Sequence, residues 1–276
     1  MSQLQFAVLE SKCIQCDTCI NDCPTGIIVR GETRPTINPD AEENCIKCQH
    51  CLAVCPTGAV SIFSRNAEDS ISLTPEVVPS FEQMNTLLRG RRSVRQFRQE
   101  NVSRKIIDEL LATVANSPTG CNDQDLTFSV IDDREEINLL IERIVSALES
   151  KIASGIEVHA FLADSVTAYR NNGTDVFFRG APHLLIVSAG EKATCPQQDI
   201  DIALSSFGLL AHCAGLGATW CGILKFALEA VPELRPILGL EQDTLFYAML
   251  FGHPSVHYAR TVQRDDAATI KRIKLR

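Results

Sequence analysis

Between Ser64 and Ser80 the apolar positions follow neither a helical nor a strand period, and Pro75 and Pro79 interrupt the stretch, so it reads as a linker. Beyond it the pattern becomes regular. Phe81, Met84, Leu87 and Leu88 recur at helical spacing, and Gly90 can end that helix. Helical patterns follow at about 103–115, 133–154 and 199–215. Strand-like runs lie between and after them, at Leu126–Ile131, His183–Ser188 and Thr244–Phe251. Few strands and long helices predict a mixed α+β domain over 81–276, joined by the 64–80 linker to a domain at 1–63.

The first 63 residues carry a different pattern, an internal repeat. CIQCDTCINDCPTGII, from Cys13 to Ile28, matches CIKCQHCLAVCPTGAV, from Cys45 to Val60, at an offset of 32 residues. A unit this short cannot bury a core alone, so the two copies must share one. The chain has 12 cysteines, and eight of them lie in this repeat. MSQLQFAVLESKC, at the start, lacks a basic region followed by a long apolar run, so no signal peptide is expected and the cytoplasm is the expected location. Cysteines crowded together there point to metal or redox chemistry rather than disulfides.

Each copy spaces its cysteines C-x2-C-x2-C-x3-C-P. A [4Fe–4S] cube needs four thiolates. The x2 spacings wrap three sulfurs around one cluster, and the fourth cysteine is carried away to ligate the other cluster. One cluster is therefore expected on Cys13, Cys16, Cys19 and Cys55, and the second on Cys45, Cys48, Cys51 and Cys23. Pro24 and Pro56 fix the chain after the crossing ligand, and Gly26 and Gly58 allow the turn that follows. Zinc is the competing reading. It accounts for paired C-x2-C knuckles, but not for the third cysteine, the C-P ending or the duplication. Residues 5–63 closely resemble the two-cluster bacterial ferredoxins, which implies an electron-transfer domain.

The second domain opens with RGRRSVRQFR, five arginines within ten residues. Such a run can be a solvated basic face. Here it sits at a helix end beside the Ser93 hydroxyl, and guanidinium forks suit a phosphate monoester. At this point the chain resembles the nitroreductase family of FMN enzymes. Arg91, Arg92, Ser93, Arg95 and Phe97 match the family's opening motif. SPTGCNDQDLTF (Ser117–Phe128), APHLLIV (Ala181–Val187), LLAHCAGLGATWCGI (Leu209–Ile223) and FGHPSVHYARTVQR (Phe251–Arg264) follow in family order.

The resemblance covers about 81–276 and implies a central, mostly antiparallel sheet flanked by helices, with FMN at a homodimer interface. It assigns the FMN phosphate to Arg91 with Arg264 and Arg260. Arg92, Ser93 and Arg95 are assigned to the phosphate, ribityl chain or pyrimidine edge. Pro118, Thr119, Gly120 and Asn122 are expected to line the isoalloxazine, and a backbone N–H at Cys221 or Gly222 to reach N5. The helix Ile202–Leu216 is expected in the dimer core, with His212 and Cys213 packing there and Thr269–Leu275 reaching across to the partner. Asp125 and Leu126 depart from the family's Pro-Trp. Residues 156–172 stand where the family has a variable lid and match none of its motifs. His159, Phe161 and Tyr169 are the lid candidates, with packing as the plainer reading of each, and Cys121 is read as a bystander.

The remaining composition narrows the classes. A net charge of −8, with 45% apolar and 22% charged residues, argues against a nucleic-acid binder and against docking on an anionic membrane. The most apolar stretch, 209–231, contains His212, Lys225 and Glu229 and is expected as helix and strand rather than a span. Gly215, Gly217 and Gly222 do not make a G-x-G-x-x-G turn, so no dinucleotide fold is expected. The two halves together predict an FMN-dependent oxidoreductase. Electrons would pass from a low-potential donor, a ferredoxin-like protein or NAD(P)H, through two [4Fe–4S] clusters to FMN. From there they would pass to an organic acceptor such as a nitro compound, quinone or activated alkene. A non-catalytic electron carrier, and a dehydrogenase or deiodinase reaction on the same fold, stand as alternatives. No residue is assigned as catalytic.

Overall fold

The structure, a computed structural model, describes residues 4–264 and 267–275. Two compact units are present: 4–79 together with Cys121–Asp123, and Ser80–Gly120 together with 124–275.

The first unit repeats itself in space as in sequence. Its elements are β1 (Ala7–Val8), α1 (Thr18–Asn21), β2 (Ile28–Arg30), β3 (Pro35–Ile37), α2 (His50–Ala53) and β4 (Val60–Ser61). The short helices α1 and α2 stand at the 32-residue offset. So do four non-glycine residues in the left-handed region, Gln15 (φ 52°) with Lys47 (58°), and Asp17 (57°) with Gln49 (60°). Side chains rarely adopt this backbone. Its recurrence at matching positions shows that the loop shape, not the local residue, is what the two copies share. Gly26 and Gly58 take the same region at lower steric cost, at 65° and 63°. The ends are tied by β1 against β4, with Ala7 opposite Ser61, and by a β2–β3 hairpin. One small core serves both copies, built on Val8, Ile27, Ile28, Leu52, Val60 and Ile62.

The second unit contains α3 (Phe81–Gly90), α4 (Arg104–Val114), β5 (Leu126–Ile131), α5 (Arg134–Ala153), α6 (Ala160–Asn172), β6 (His183–Ala189), α7 (Pro196–Cys213), β7 (Gly217–Trp220), α8 (Gly222–Ala230) and β8 (Phe246–Gly252). The sheet runs β5-β6-β8-β7 with every pair antiparallel. All seven residues of β6 are buried, as a central strand covered on both faces requires. Alternate residues enter two separate cores. Leu184, Ile186, Ala248 and Leu250 pack with α5, α6 and α8, while Leu185, Val187, Met249 and Phe251 pack with α4 and α7.

The helix starts follow side-chain caps. Ser80 and Gln83 form a reciprocal capping box on α3, and Asp133 accepts from the Glu135 N–H on α5. The strand expected at Thr244–Phe251 is displaced slightly, to Phe246–Gly252. The segment 156–172, which matched no motif, is mostly helix α6. His159 caps it, Gly173 ends it at φ 69°, and Arg170 joins it to Glu142 and Glu149 of α5 at 2.8 and 2.9 Å. Among the described residues no helix is long and apolar enough to cross a membrane.

Candidate functional site

The eight repeat cysteines line two cavities. One is lined by Cys45, Cys48, Cys51 and Cys23; the other by Cys13, Cys16, Cys19 and Cys55. These are the crossed sets expected from the spacing. The left-handed residues turn the chain between successive cysteines so that three sulfurs from one loop share a cavity. The crossing cysteine arrives where α1 or α2 ends. Apolar side chains complete the walls, with Ile27, Ile37 and Ile62 in the first cavity and Val8 and Val60 in the second. Among the described residues no three His, Cys, Asp or Glu groups converge tightly enough to share one metal ion.

Burial and hydrogen bonding divide the thiols. Burial pushes the Cys51 thiol up to about 12 and raises Cys19, its equivalent in the other copy. Cys16 is exposed and lowered, chiefly by the Thr18 hydroxyl, whose Oγ1 donates to its Sγ at 3.1 Å. Burial opposes ionisation at Cys23 and Cys55, yet backbone N–H groups and the hydroxyls of Thr25 and Thr57 hold both below the ordinary value. The second copy carries His50 in place of Thr18. His50 Nδ1 lies 3.2 Å from Asp22.

In the second unit the arginine run leaves α3 as an extended strand. Arg91 is the C-cap residue, donating its N–H to the Leu87 carbonyl. Ser93 pairs in parallel with Ala218 of β7, and Phe97 pairs with Pro254. Two backbone bonds, Val94 N–H to Ala218 and Arg98 N–H to His253, lock the strand between β7 and the segment after β8. Gly217 allows this approach, because a Cβ there would stand 2.6 Å from Val94. A cleft of about 410 Å3 results, lined by Gly90, Val94, His212, Pro254 and Arg260 among others. Arg91, Arg92, Arg95, Arg260 and Arg264 have no ion pair among the described residues, although the chain is acidic; Arg98 lies 3.6 Å from Glu100. Arg264 is exposed and does not line the cleft.

The loop after α4 is fastened from α7. The Gly120 N–H donates to Asp199 Oδ1 at 2.9 Å, and a Cβ on Gly120 would stand 2.9 Å from Cys195. Thr119 Oγ1 accepts from the Gln124 N–H. Asn122, within the first unit, donates Nδ2 to the Ile46 carbonyl at 2.8 Å. Asp125 has a structural task. Its carboxylate accepts from the Lys192 N–H, its carbonyl accepts from the Gly190 N–H, and no Cβ fits at Gly190 beside it. Asp199 was not singled out from the sequence. An aspartate at a helix start reads as an ordinary first-turn acid, and its partner is 79 residues away.

At the β7–α8 junction Cys221 is buried, its thiol pushed up to about 12 by burial, and its N–H donates to the Ala248 carbonyl. Gly222 begins α8 beneath Tyr247, whose hydroxyl would lie 2.8 Å from a Cβ there, and Trp220 meets the Tyr247 ring edge-on. Of the lid candidates, His159 and Phe161 form an aromatic group with the half-exposed Phe226 of α8, while Tyr169 donates to Glu142 on α5. His212 and Cys213 are exposed on the outer side of α7. A separate cleft of about 340 Å3 beside β5 and α5 contains none of the residues singled out.

Known proteins resemble both parts of the chain. The 4Fe-4S dicluster domain matches residues 12–60. A zebrafish (Danio rerio) iodotyrosine deiodinase is 26% identical over 59% of this chain, and the match spans only 57% of that enzyme's length. A putative NADH dehydrogenase/NAD(P)H nitroreductase of Methanothermobacter thermautotrophicus is 24% identical over 67% of this chain and 85% of its own. Among solved structures, a nitroreductase with bound FMN from Bacteroides fragilis superposes with a TM-score of 0.56 at 19% identity, covering 69% of this chain and 99% of that one. The Nitroreductase family itself matches residues 88–253, more than half of the chain, so this protein belongs to the nitroreductase family and carries an iron–sulfur domain ahead of its family domain.

Proposed function

We propose that this protein is an FMN-dependent oxidoreductase supplied with electrons through two [4Fe–4S] clusters. Residues 1–63 carry the clusters, 64–80 join the parts and 81–276 hold the flavin. The observation that carries the reading is the pair of crossed four-cysteine cavities on a chain of this family. When bound, the clusters supply one-electron transfer, and the flavin supplies two-electron storage and hydride delivery. The path runs from an external low-potential donor to the clusters, the flavin and an organic acceptor. A ferredoxin-like protein is the preferred donor over NAD(P)H.

The chain's own residues bind and orient. Arg91, Arg260 and Arg264, which make no ion pair with a carboxylate among the described residues, offer guanidinium groups to the phosphate. Arg92, Ser93 and Arg95 lie on the strand locked to β7 and face the sugar or pyrimidine. Pro118, Thr119, Gly120 and Asn122 supply the loop beside the ring. The Cys221 N–H is engaged by Ala248, so Gly222 is the better donor to N5. A homodimer completes the site, burying the outer side of α7 and the apolar face of α3, where Phe81 and Leu88 are 79% and 59% exposed. A cytoplasmic setting would keep the cluster thiols reduced.

Reductive deiodination of an aromatic substrate is the second reading, favoured by the deiodinase relatives. One anaerobic experiment addresses both. Reduced ferredoxin is mixed with wild type, Cys13→Ser and Cys48→Ser, flavin reduction is followed, and nitroaromatic, quinone and iodophenol acceptors are supplied. Wild-type flavin reduction and acceptor turnover, lost in both variants while flavin content stays, is the expected result. Full ferredoxin-driven turnover in the variants would refute the path.

A further inference from the structure

We propose that Asp199 positions the cofactor loop with one carboxylate oxygen and accepts a hydrogen bond from the bound flavin with the other. The inference rests on the flavin reading above. Asp199 lies in the first turn of the 18-residue helix α7 and is 2% exposed. Oδ1 holds the Gly120 N–H at 2.9 Å, and Oδ2 is buried with no hydrogen-bond partner among the described residues.

Buried carboxylate oxygens are nearly always engaged, because an acceptor stripped of water and left unpaired is costly. The Gly120 bond alone does not explain an acid here. The amide oxygen of asparagine would hold that N–H equally well and would bury no charge. An aspartate is accounted for when its second oxygen also meets a donor. The nearby protein donor of its own residue is already spent, since the Asp199 N–H donates to the Cys195 carbonyl at 2.9 Å. The loop cannot settle closer, because Gly120 is already packed against Cys195. The α7 N-terminus tolerates the negative charge.

The loop that Asp199 holds is the one assigned to the isoalloxazine. A flavin carries donors of the required kind in its ring N3–H and its ribityl hydroxyls. Asp199 is thus a positioning residue that also touches the cofactor, linking the height of the Pro118–Gly120 loop to flavin occupancy.

The test uses the full-length protein with its clusters. Asp199→Asn keeps the acceptor for Gly120 and replaces the second acceptor by an N–H donor. It should weaken FMN binding by about tenfold or more and move the FMN midpoint potential upward, because a negative charge has left the cofactor. Iron content should stay unchanged. With 3-methyl-FMN, a wild-type-to-Asn difference that collapses assigns the donor to the ring N3–H, and one that persists assigns it to a hydroxyl; either supports the inference. Wild-type affinity and potential in Asp199→Asn would overturn it, including the case in which Asp199→Ala merely lowers the melting temperature. A wild-type protein that binds no FMN would overturn both this inference and the flavin reading.

Discussion

In the first unit every cysteine of the two cavities falls between residues 13 and 55, and each loop delivers three of them in order. In the second unit the grouped residues come from distant places: Ser93 beside Ala218, Phe97 beside Pro254, Gly120 beside Asp199. The first unit is a pair of local loops sharing a thin core, and the second is a sheet with two substantial cores. A site made of local loops needs its metal to hold it. A site made of long-range pairings is held by the fold before any ligand arrives.

The largest expected effect tests that contrast. Anaerobic removal of iron should unfold the first unit, because a core of this size cannot offset the ordering of its loops. The second unit should keep its own unfolding transition, followed through Trp220, the chain's one tryptophan. A single shared loss of structure would break the comparison. The cysteine thiols must lose their protons on reassembly, so cluster uptake should release protons and slow as pH falls.

Next in size is the core of the sheet. Phe251 is fully buried between Phe207 and His183, with ring centroids at 5.2 and 5.0 Å. Phe251→Ala should cost about 3–5 kcal/mol in denaturant unfolding of the second unit and leave the cluster absorbance unchanged. Loss of the clusters in this variant would mean that the units do not stand separately.

A smaller effect concerns pH. His183 is fully buried, its Nε2 accepts the Val102 N–H at 2.8 Å, and burial lowers its pKa below 6.5. The folded state therefore binds fewer protons than the unfolded one in acid. The contribution is fully present above about 6.5 and is lost as pH falls from there through the lower folded value. The unfolding midpoint of the second unit should drop over that window, and His183→Gln should flatten the drop. The smallest effect is at α3, where Ser80→Ala removes the capping box from an exposed helix. About 1 kcal/mol of local stability should go, seen as faster amide exchange in Phe81–Met84 with no change in the global midpoint.

The legible part of the candidate site was the part with short sequence separation. Cysteine spacing foretold both cavity linings, and the helical period ending at Gly90 placed the arginine run at a helix end. Asp199 was not legible, because its meaning depends on Gly120 arriving from another element. The resemblance leaves the N5 donor open between Cys221 and Gly222, and only the fold shows that the Cys221 N–H is already used by Ala248. Asp125, a departure from the family's Pro-Trp, fastens the turn after β6, which only the fold shows.

By itself the sequence determined the elements whose periodicity is carried by their own residues: the repeat at offset 32, the long helices, the buried strands β6 and β8 and the crossed cysteine sets. Only the tertiary structure decided the helix α6, whose ends and ion pairs depend on α5, and the left-handed loop residues Gln15, Asp17, Lys47 and Gln49, which no local preference would select. It also decided the pairing of the arginine strand with β7. The physical reason is that periodicity and spacing record which face of an element is buried, whereas a hydrogen bond between distant residues is chosen by the packing of the whole sheet.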